Sequence, residues 1–571
     1  MRMTNKIMQN TSLYNMNNTK IIEDKYNTQM TTQSKITRPS DDPVVAIRAL
    51  TLRTNVSQIT QYNEKNAKDA ESWLKVTDQA LYSLNDVIQS IYEQATKGAS
   101  QYNSVESVES IITEMEALTK EYYSTANADF AGRYVFSGYR TDTPVTFPRG
   151  TAEMTESERA EYKYTGITQS FRLGDIDTLS AVDYSMLKDP ATTLSSKESD
   201  ITAYENYHRI RLAYDKVDDK VPTVEYVKGD GTKETLTIDA TVYATEEEAL
   251  KAAENGGSDA YFCAETGELI LSAKDGEGWD KLNKDLAENP DTDNTVPFLQ
   301  VTYDKSSWDA GDLNPVHYFR CTDGKGVTYN QSTYGEYDPS TGTYTAFSTS
   351  SAIDAAVQAA LLKAGGSKNM VVARDGALSA NYGEGFYNDG TGSRMIEYDV
   401  GYNQKIRVNT NAADVFSSSV ARDMDDLRSK FDQYKDINRR VSELEAKLNT
   451  ITDKTSADYK NYSNALDAAN KACDYLKDDM KELFERQIER YQTYQQDCNV
   501  ASTENGTRMS RLEIIQTRLT SQQSTFRELA DDNEGIDIAE TAINLSSAQL
   551  TYTAALQATS KVIQSSLMDY I

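Results

Sequence analysis

Apolar residues recur in alternating steps of three and four over long stretches of this chain. Such spacing places them on one face of an α-helix. The first of these stretches predicts one long helix that ends near Gly98, and a second helix follows from Val105 to Tyr122. The stripe of the first helix consists of Leu52, Val56, Ile59, Ala70, Trp73, Ala80, Leu84, Val87, Ile91 and Ala95.

Helical spacing returns near Val420 and continues almost to the end of the chain. One stripe runs to Ile451, "TDKTSADYKN" interrupts it, and a second stripe runs from Leu466 to Cys498. Together they predict an antiparallel helical hairpin. A third segment is expected after "ENG", with the seven-residue spacing of a coiled coil. Its rows are Leu512, Leu519 and Phe526, and Ile515, Gln522, Leu529, Ile536, Ile543 and Leu550.

The N-terminus carries a weaker version of the same heptad pattern. Ile7, Tyr14 and Ile21 are spaced by seven, but mostly Asn, Gln and Thr separate them. Helix nucleation is costly, and so little apolar area cannot offset it in an isolated segment. Each terminal segment is set off by a polar break, "RPSDDP" at one end and "DDNEG" at the other. We therefore predict that the two termini pair with each other as a coiled coil.

The motif "RPSDDP" predicts a sharp joint between two helices. Its residues are Arg38, Pro39, Ser40, Asp41, Asp42 and Pro43. A residue before proline is biased away from the helical region, so one helix should end near Ile36. Asp42 is a suitable N-cap, and Pro43 at the first helical position loses no hydrogen bond. The next helix should therefore begin at Pro43.

The middle of the chain has a different texture, rich in Gly, Thr, Tyr and Asp. "VEYVKGDGTKETLTI" and "YFCAETGELILSA" predict β-hairpins, whereas "TEEEALKAAENGG" and "SAIDAAVQAALLKAGG" predict short helices closed by glycine. The expected fold class is α+β and multi-domain. Its domains are a terminal coiled coil (1–38 with 536–571), a helical bundle (43–142 with 412–535) and a β-rich variable insert (143–411), which could form two subdomains.

Charge and hydropathy exclude several classes of protein. The 59 Lys and Arg against 88 Asp and Glu give a net charge of −29, whereas nucleic-acid binding usually requires a basic surface. No apolar run reaches the roughly 18 residues of a membrane span, so no membrane insertion is expected. The N-terminus lacks the apolar core of a secretory signal peptide. The protein is therefore either cytoplasmic or exported by a route that reads no such peptide.

Residues with catalytic or metal-binding chemistry are sparse. His208 and His317 are the two histidines, and neither lies in a triad or zinc pattern. "DTDN" at 291–294 begins like a calcium loop but lacks the glycine that such a loop needs. Cys473 and Cys498 lie on the apolar stripe of one predicted helix, where we expect small buried thiols. We therefore predict no catalytic residue, no metal ligand and no cofactor.

Three motifs resemble the bacterial flagellar hook–filament junction proteins, also called hook-associated protein 3, which are relatives of flagellin. They are "SKITRPSDDPVVAIRAL" (34–50), "ANADFAGRYVFSGYRTDTPVTF" (126–147) and "NGTRMSRLEIIQTRL" (505–519) with the segment that follows it. The most specific is the turn "GRYVFSG", with Gly132, Arg133, Tyr134, Phe136 and Gly138. The resemblance covers about residues 1–147 and 400–571, and the middle matches only in position.

The resemblance implies a structural subunit and not an enzyme. It would form a ring of identical subunits, with hook-associated protein 1 on the hook side and flagellin on the filament side. The resemblance also implies an extracellular position on the flagellum. The subunit would be exported by the flagellar type III route without a cleaved signal peptide, after an export chaperone has held its C-terminal segment.

Three alternatives remain open at this stage. The first is flagellin, the filament subunit itself, although this chain lacks flagellin's usual alanine-rich stretch after the joint. The second is an enzyme in the insert, which a pocket holding His208 or His317 beside a carboxylate would favour. The third is a carbohydrate-binding module, which a groove lined by Trp and Tyr around Trp279 or Trp308 would favour.

Overall fold

The structure is a computed structural model that describes residues 5–100, 104–138, 140–171, 173–228, 233–287, 299–326 and 396–568, with short pieces at 328–329, 334–338, 343–346 and 370–373. It has the predicted α+β fold, with long helices from both ends of the chain and a β-rich middle. The predicted helix at 351–366 lies outside the described residues.

The longest helices come from the two ends of the sequence. They are α1 (Asn5–Thr32), α2 (Pro43–Thr60), a π-helical segment (Gln61–Asn66), α3 (Ala67–Gly98), α4 (Val105–Thr125), α10 (Ser419–Thr450), α11 (Ala457–Glu534) and α12 (Ile538–Met568). Short helices of the middle region are α5 (Glu156–Glu161), α6 (Ser185–Lys188), α7 (Pro190–Thr193), α8 (Glu246–Asn255) and α9 (Gly278–Ala287).

The strands lie between α4 and α10. In chain order they are β1 (Asp129–Phe130), β2 (Arg133–Tyr134), β3 (Tyr164–Phe171), β4 (Ile176–Asp183), β5 (Thr202–Arg211), β6 (Thr223–Val227), β7 (Lys233–Thr235), β8 (Ile238–Tyr243), β9 (Ala260–Cys263), β10 (Glu268–Leu271), β11 (Leu299–Lys305), β12 (Arg320–Thr322), β13 (Thr328–Tyr329), β14 (Tyr334–Asp338), β15 (Thr343–Ala346), β16 (Met370–Ala373), β17 (Glu397–Gly401) and β18 (Gln404–Arg407).

Two larger sheets organise the middle region. One has the strand order β4-β5-β10-β9-β8 and is antiparallel except for the pair β8–β9. The other is antiparallel, with the order β13-β12-β3-β11-β6-β7. The two predicted hairpins are present as β6–β7 and β9–β10. The tip of the first hairpin, 229–232, lies outside the described residues.

The chain divides into two compact units. The first comprises Met1–Ser72, Tyr398–Ile406 and Met509–Ile571, and the second comprises Trp73–Glu397 and Arg407–Arg508. In the second unit, the apolar stripe of α3 is buried at Trp73, Leu84 and Ile91. The domain boundaries expected from the sequence stay a prediction.

The expected helical hairpin is formed by α10 and α11. Gln487 on α11 donates to the carbonyl oxygen of Asp423 near the start of α10, at 2.6 Å. The loop joining the two helices is at their other ends, so they run antiparallel. The segment expected after "ENG" is not a separate helix, because α11 continues without interruption to Glu534. Asn505 is buried and donates to the carbonyl oxygen of Leu74 at 3.0 Å, so it serves as a packing residue.

Candidate assembly surfaces

The two polar breaks of the sequence lie side by side in the first unit. The backbone N–H of Lys35 donates to the carbonyl oxygen of Glu534 at 2.7 Å, and Ser34 forms an antiparallel bridge with Gly535. The Arg53 guanidinium pairs with the Glu534 carboxylate. The sequence predicted each break separately, and the structure joins them into one corner.

Both aspartates of "RPSDDP" hold the backbone at this corner. Asp42 is the N-cap of α2, and its Oδ1 accepts from the N–H groups of Val44 and Val45. Asp41 Oδ2 accepts from the N–H of Arg38 at 2.9 Å, and these backbone hydrogen bonds lower the pKa of Asp41. The predicted start at Pro43 is confirmed. Helix α1 ends at Thr32, earlier than the expected Ile36, because Gln33 adopts a left-handed conformation with φ 54°.

The terminal helices pack together, as predicted, but through other faces than the heptad rows. Helix α1 lies along α12, and their joined ends make the pair antiparallel. One row of half-buried residues on α1, spaced by three and four, is mostly polar: Gln9, Ser12, Met16, Thr19, Glu23, Tyr26 and Met30. Those of α12 are Thr541, Leu545, Ala548, Tyr552, Ala555 and Thr559, all buried or half-buried. We call this contact the terminal seam.

The apolar heptad rows point away from the terminal seam. Ile7, Tyr14 and Ile21 on α1 are between 52% and 67% exposed. Ile543 and Leu550 on α12 are 69% and 74% exposed. These five side chains form what we call the outer rows. The α1 side of the seam is thus mostly polar and its α12 side is mixed, while apolar rows of both helices stay exposed, unlike an ordinary coiled coil, whose apolar rows meet in the seam.

The predicted rows on α11 are divided between burial and exposure. Leu512, Ile515 and Leu519 are buried, and Phe526 is half-buried. Leu529 is 47% exposed, and Ile536, just before α12, is half-buried. The first three support the unit from within, whereas Leu529 is available at its surface. Whether these residues act in assembly stays a prediction.

The predicted turn "GRYVFSG" follows α4 in the second unit, where the chain leaves the helices. The Arg133 guanidinium lies over the Trp73 ring at 4.9 Å, and Phe136 packs edge-on against Phe416 at 5.2 Å. Gly132 and Gly138 have φ of 76° and 61°, a conformation that favours glycine. Tyr134 forms strand β2 with Arg133.

The same turn contacts the segment around Ala412, which leads from the middle region back to the helices. The N–H of Ala412 donates to the carbonyl oxygen of Phe136 at 2.8 Å. The side chain of Asn127 bonds the backbone of Val145 and Thr146, which fixes the outgoing segment. The exit from the helices and the return to them are therefore neighbours.

A buried network of ion pairs was not foreseen from the sequence. Arg209 and Arg211, on one face of β5, contact Asp426, and Arg211 Nη2 also reaches Asp423 Oδ1 at 2.6 Å. Asp177 on β4 binds Arg209 at 3.2 Å. We call this cluster, together with Glu268 and Arg490, the ionic network. The alternation "RIR" on a strand was the available signal, but two of its acidic partners, Asp423 and Asp426, lie more than 200 residues away.

The network shifts the pKa values of its carboxyl groups in opposite directions. Burial raises the pKa of Asp177, but the guanidiniums of Arg211, Arg209 and Arg490 outweigh it and hold that pKa at about 2. Burial dominates at Glu268 and raises its pKa to about 7, although Arg209 opposes the shift. The ionic network therefore contains one firmly ionised and one easily protonated carboxyl.

The two histidines and Trp308 have surroundings that are typical of packing residues. His208 stacks on Trp279 with ring centroids 4.0 Å apart, and His317 is buried against the carbonyl oxygen of Pro144. Neither histidine lines the cavities of about 620 and 510 Å³ in the second unit. Trp308 is buried among aromatic rings and donates to the carbonyl oxygen of Tyr162 at 2.7 Å. These environments do not favour the enzyme or the carbohydrate-binding alternative.

Among the side chains that the structure describes, no group of three or more His, Cys, Asp or Glu could hold a metal ion. No described helix is both long enough and apolar enough to cross a membrane. Within the same part of the chain, Cys263, Cys321, Cys473 and Cys498 are free thiols.

Comparisons with known proteins point to one family. Residues 3–141 match the model of the bacterial flagellin N-terminal helical region. Flagellar hook-associated protein 3 of Escherichia coli strain K12 is 27% identical over 144 residues, and that of Salmonella typhimurium strain LT2 is 26% identical over 143. Each match covers 25% of this chain and 45% of the relative.

Among solved structures, a crystal structure of Xanthomonas campestris FlgL aligns over 84% of this chain and 99% of its own, with 10% identity and a TM-score of 0.23. The chain spans less than half the length of the curated relatives that it matches. Within that span, the sequence comparisons confirm the resemblance to flagellar hook-associated protein 3 and to the N-terminal helices of flagellins.

Proposed function

We propose that this chain is a structural subunit of the bacterial flagellum, placed at the junction between hook and filament. The observation that supports the proposal is the terminal helix pair, whose apolar outer rows stay exposed in a single copy. Covering one such side chain contributes about 1.5–3 kcal/mol. A single copy gains nothing from the outer rows, whereas a copy packed among others does.

The partners follow from the same proposal. Identical subunits would form a ring, with hook-associated protein 1 on one side and flagellin on the other. Before assembly, an export chaperone would cover the C-terminal segment that contains Ile543 and Leu550. The protein would leave the cell by the flagellar type III route without a cleaved signal peptide. It would have no catalytic activity of its own.

The test replaces one apolar side chain of the outer rows with a charge. Ile543→Asp should abolish incorporation at hook tips, because a carboxylate there cannot be buried without a large desolvation cost. Gln549→Asp is the matched control, since Gln549 is also exposed but lies about 120° around α12 from Ile543. Incorporation is measured by adding purified protein to isolated hooks. Normal capping by Ile543→Asp would contradict the proposal.

The same assay separates a junction protein from flagellin. A junction subunit should bind hook structures and then allow flagellin to polymerise, without extending by itself. A flagellin should form long filaments from its own copies. Electron microscopy of purified protein, with and without isolated hooks, distinguishes these outcomes.

A further inference from the structure

The π-helical segment Gln61–Asn66 interrupts an otherwise continuous helix from Pro43 to Gly98. The N–H of Ala67 bonds the carbonyl oxygen of Tyr62, five residues back, where an α-helix would use the fourth. The turn therefore contains one extra residue. Such π turns inside long helices occur frequently at functional sites.

Polar side chains connect this segment to α11 in the first unit. Gln523 Nε2 donates to Thr60 Oγ1 at 2.8 Å and to Glu64 Oε1 at 3.0 Å. Asn63 Nδ2 donates to Thr520 Oγ1 at 3.1 Å. Amide, hydroxyl and carboxylate groups can exchange such partners, whereas interlocked apolar side chains resist sliding. The contact is thus suited to more than one register.

We propose that the π-helical segment is a register switch for α2. If the π turn becomes a regular α-helical turn, its extra residue adds one helical step between α2 and α3. Helix α2 then rotates by about 100° and shifts by about 1.5 Å relative to the start of α3. Each position of α2 is then taken by the next residue in the sequence. At the contact with α11, Gln61 replaces Thr60 and remains able to bind Gln523.

The switch changes the outward surface of α2. In the observed register, Val44, Ile47 and Leu50 are between 62% and 70% exposed. In the regular register, Val45, Arg48 and Thr51 occupy those places. The outward surface of α2 then loses most of its apolar character. The π-helical segment would thereby control whether α2 presents an apolar row to other molecules, independently of the flagellar assignment.

Cross-linking distinguishes the two registers. Arg53 faces Glu534 in the structure, and Thr54 takes that place after the rotation. The pair Arg53→Cys with Glu534→Cys reports the observed register, and Thr54→Cys with Glu534→Cys reports the rotated one. Both pairs are treated with a short bismaleimide in a full-length Cys473→Ser background, and linked peptides are quantified by mass spectrometry. A protein that keeps all residues of the π-helical segment should give both cross-linked products.

Deleting Lys65 removes the extra residue without turning α2, because the flanking helices keep their phase. The deletion should reduce the Thr54→Cys product several-fold and spare the Arg53→Cys product. Lys65→Ala, which keeps the length, should leave the ratio unchanged. Combining Asn63→Ala with Asn66→Ala should raise the share of the rotated product, since alanine favours a regular helix. A ratio that stays the same in all these backgrounds, or a deletion that lowers both products equally, would overturn the proposal.

Discussion

Asp423 offers the sharpest test of how the second unit is held together. This aspartate is buried on α10, and its Oδ1 binds Arg211 on β5 at 2.6 Å and also Arg490 on α11. Asp423→Ala removes one partner from the buried Arg211 guanidinium and one from the half-buried Arg490 guanidinium. Removing one partner from a buried ion pair typically costs about 3–5 kcal/mol. The equilibrium constant for opening should therefore rise by about two orders of magnitude or more.

The assay combines urea unfolding, followed by circular dichroism, with hydrogen exchange of the β5 and α10 amides. Asp432→Ala is the matched control, because that carboxylate is 59% exposed on the same helix and pairs with Arg428 at 3.4 Å. An exposed pair of this kind contributes about 0.3–0.5 kcal/mol. If the two variants differ by less than about 1 kcal/mol in free energy of unfolding, the ionic network does not stabilise the contact between β5 and the helices.

Three further predictions concern protonation, thiols and order. The folded-state pKa of Glu268 is about 7, against an ordinary 4.5. The free energy of unfolding should therefore fall as pH rises between those two values. Glu268→Gln should flatten this slope, which urea titrations at several pH values measure. Cys473 and Cys498 are 25 positions apart on one helix, roughly 37 Å, so non-reducing peptide maps should show no bridge between them, and half-buried Cys473 should alkylate first. Limited proteolysis of free protein should trim before about Arg38 and after about Asp531, and resistant termini would contradict weak terminal pairing.

Local chemistry allowed the sequence to predict the joint and the hairpins. Pro43 and Asp42 set the start of α2 through properties of their own backbone and side chain. The hairpin β9–β10 turns at Gly267, whose φ of 61° favours glycine. By contrast, a separate third segment was expected after "ENG". Asn and Gly are poor helix formers, yet α11 runs through them. The buried bond from Asn505 to Leu74 outweighs that preference, and it depends on a contact across more than 400 residues.

The faces of the terminal helices could not be assigned from the sequence for a different reason. A heptad of apolar residues shows which side chains should be covered, but not which molecule covers them. The prediction that α1 and α12 pair was confirmed, yet their seam contains Thr19 and Thr541 while Ile21 and Ile543 face outward. Sequence reasoning on one chain assumes that apolar rows meet each other within it. In the proposed subunit, other copies would cover these rows instead.

The face that α1 presents to the terminal seam is mostly polar, whereas its outer row is apolar. A free copy and a packed copy would therefore differ in how much apolar surface they bury. Ordering the roughly thirty residues of α1 costs about 1–2 kcal/mol per residue in backbone entropy. On the α1 side, the terminal seam offers few apolar side chains to offset that cost, among them Met16 and Met30. Covering Ile7, Tyr14 and Ile21 by neighbouring copies adds about 1.5–3 kcal/mol each. If the proposed function is correct, ordering of the termini is coupled to association, since neighbouring copies would cover these rows.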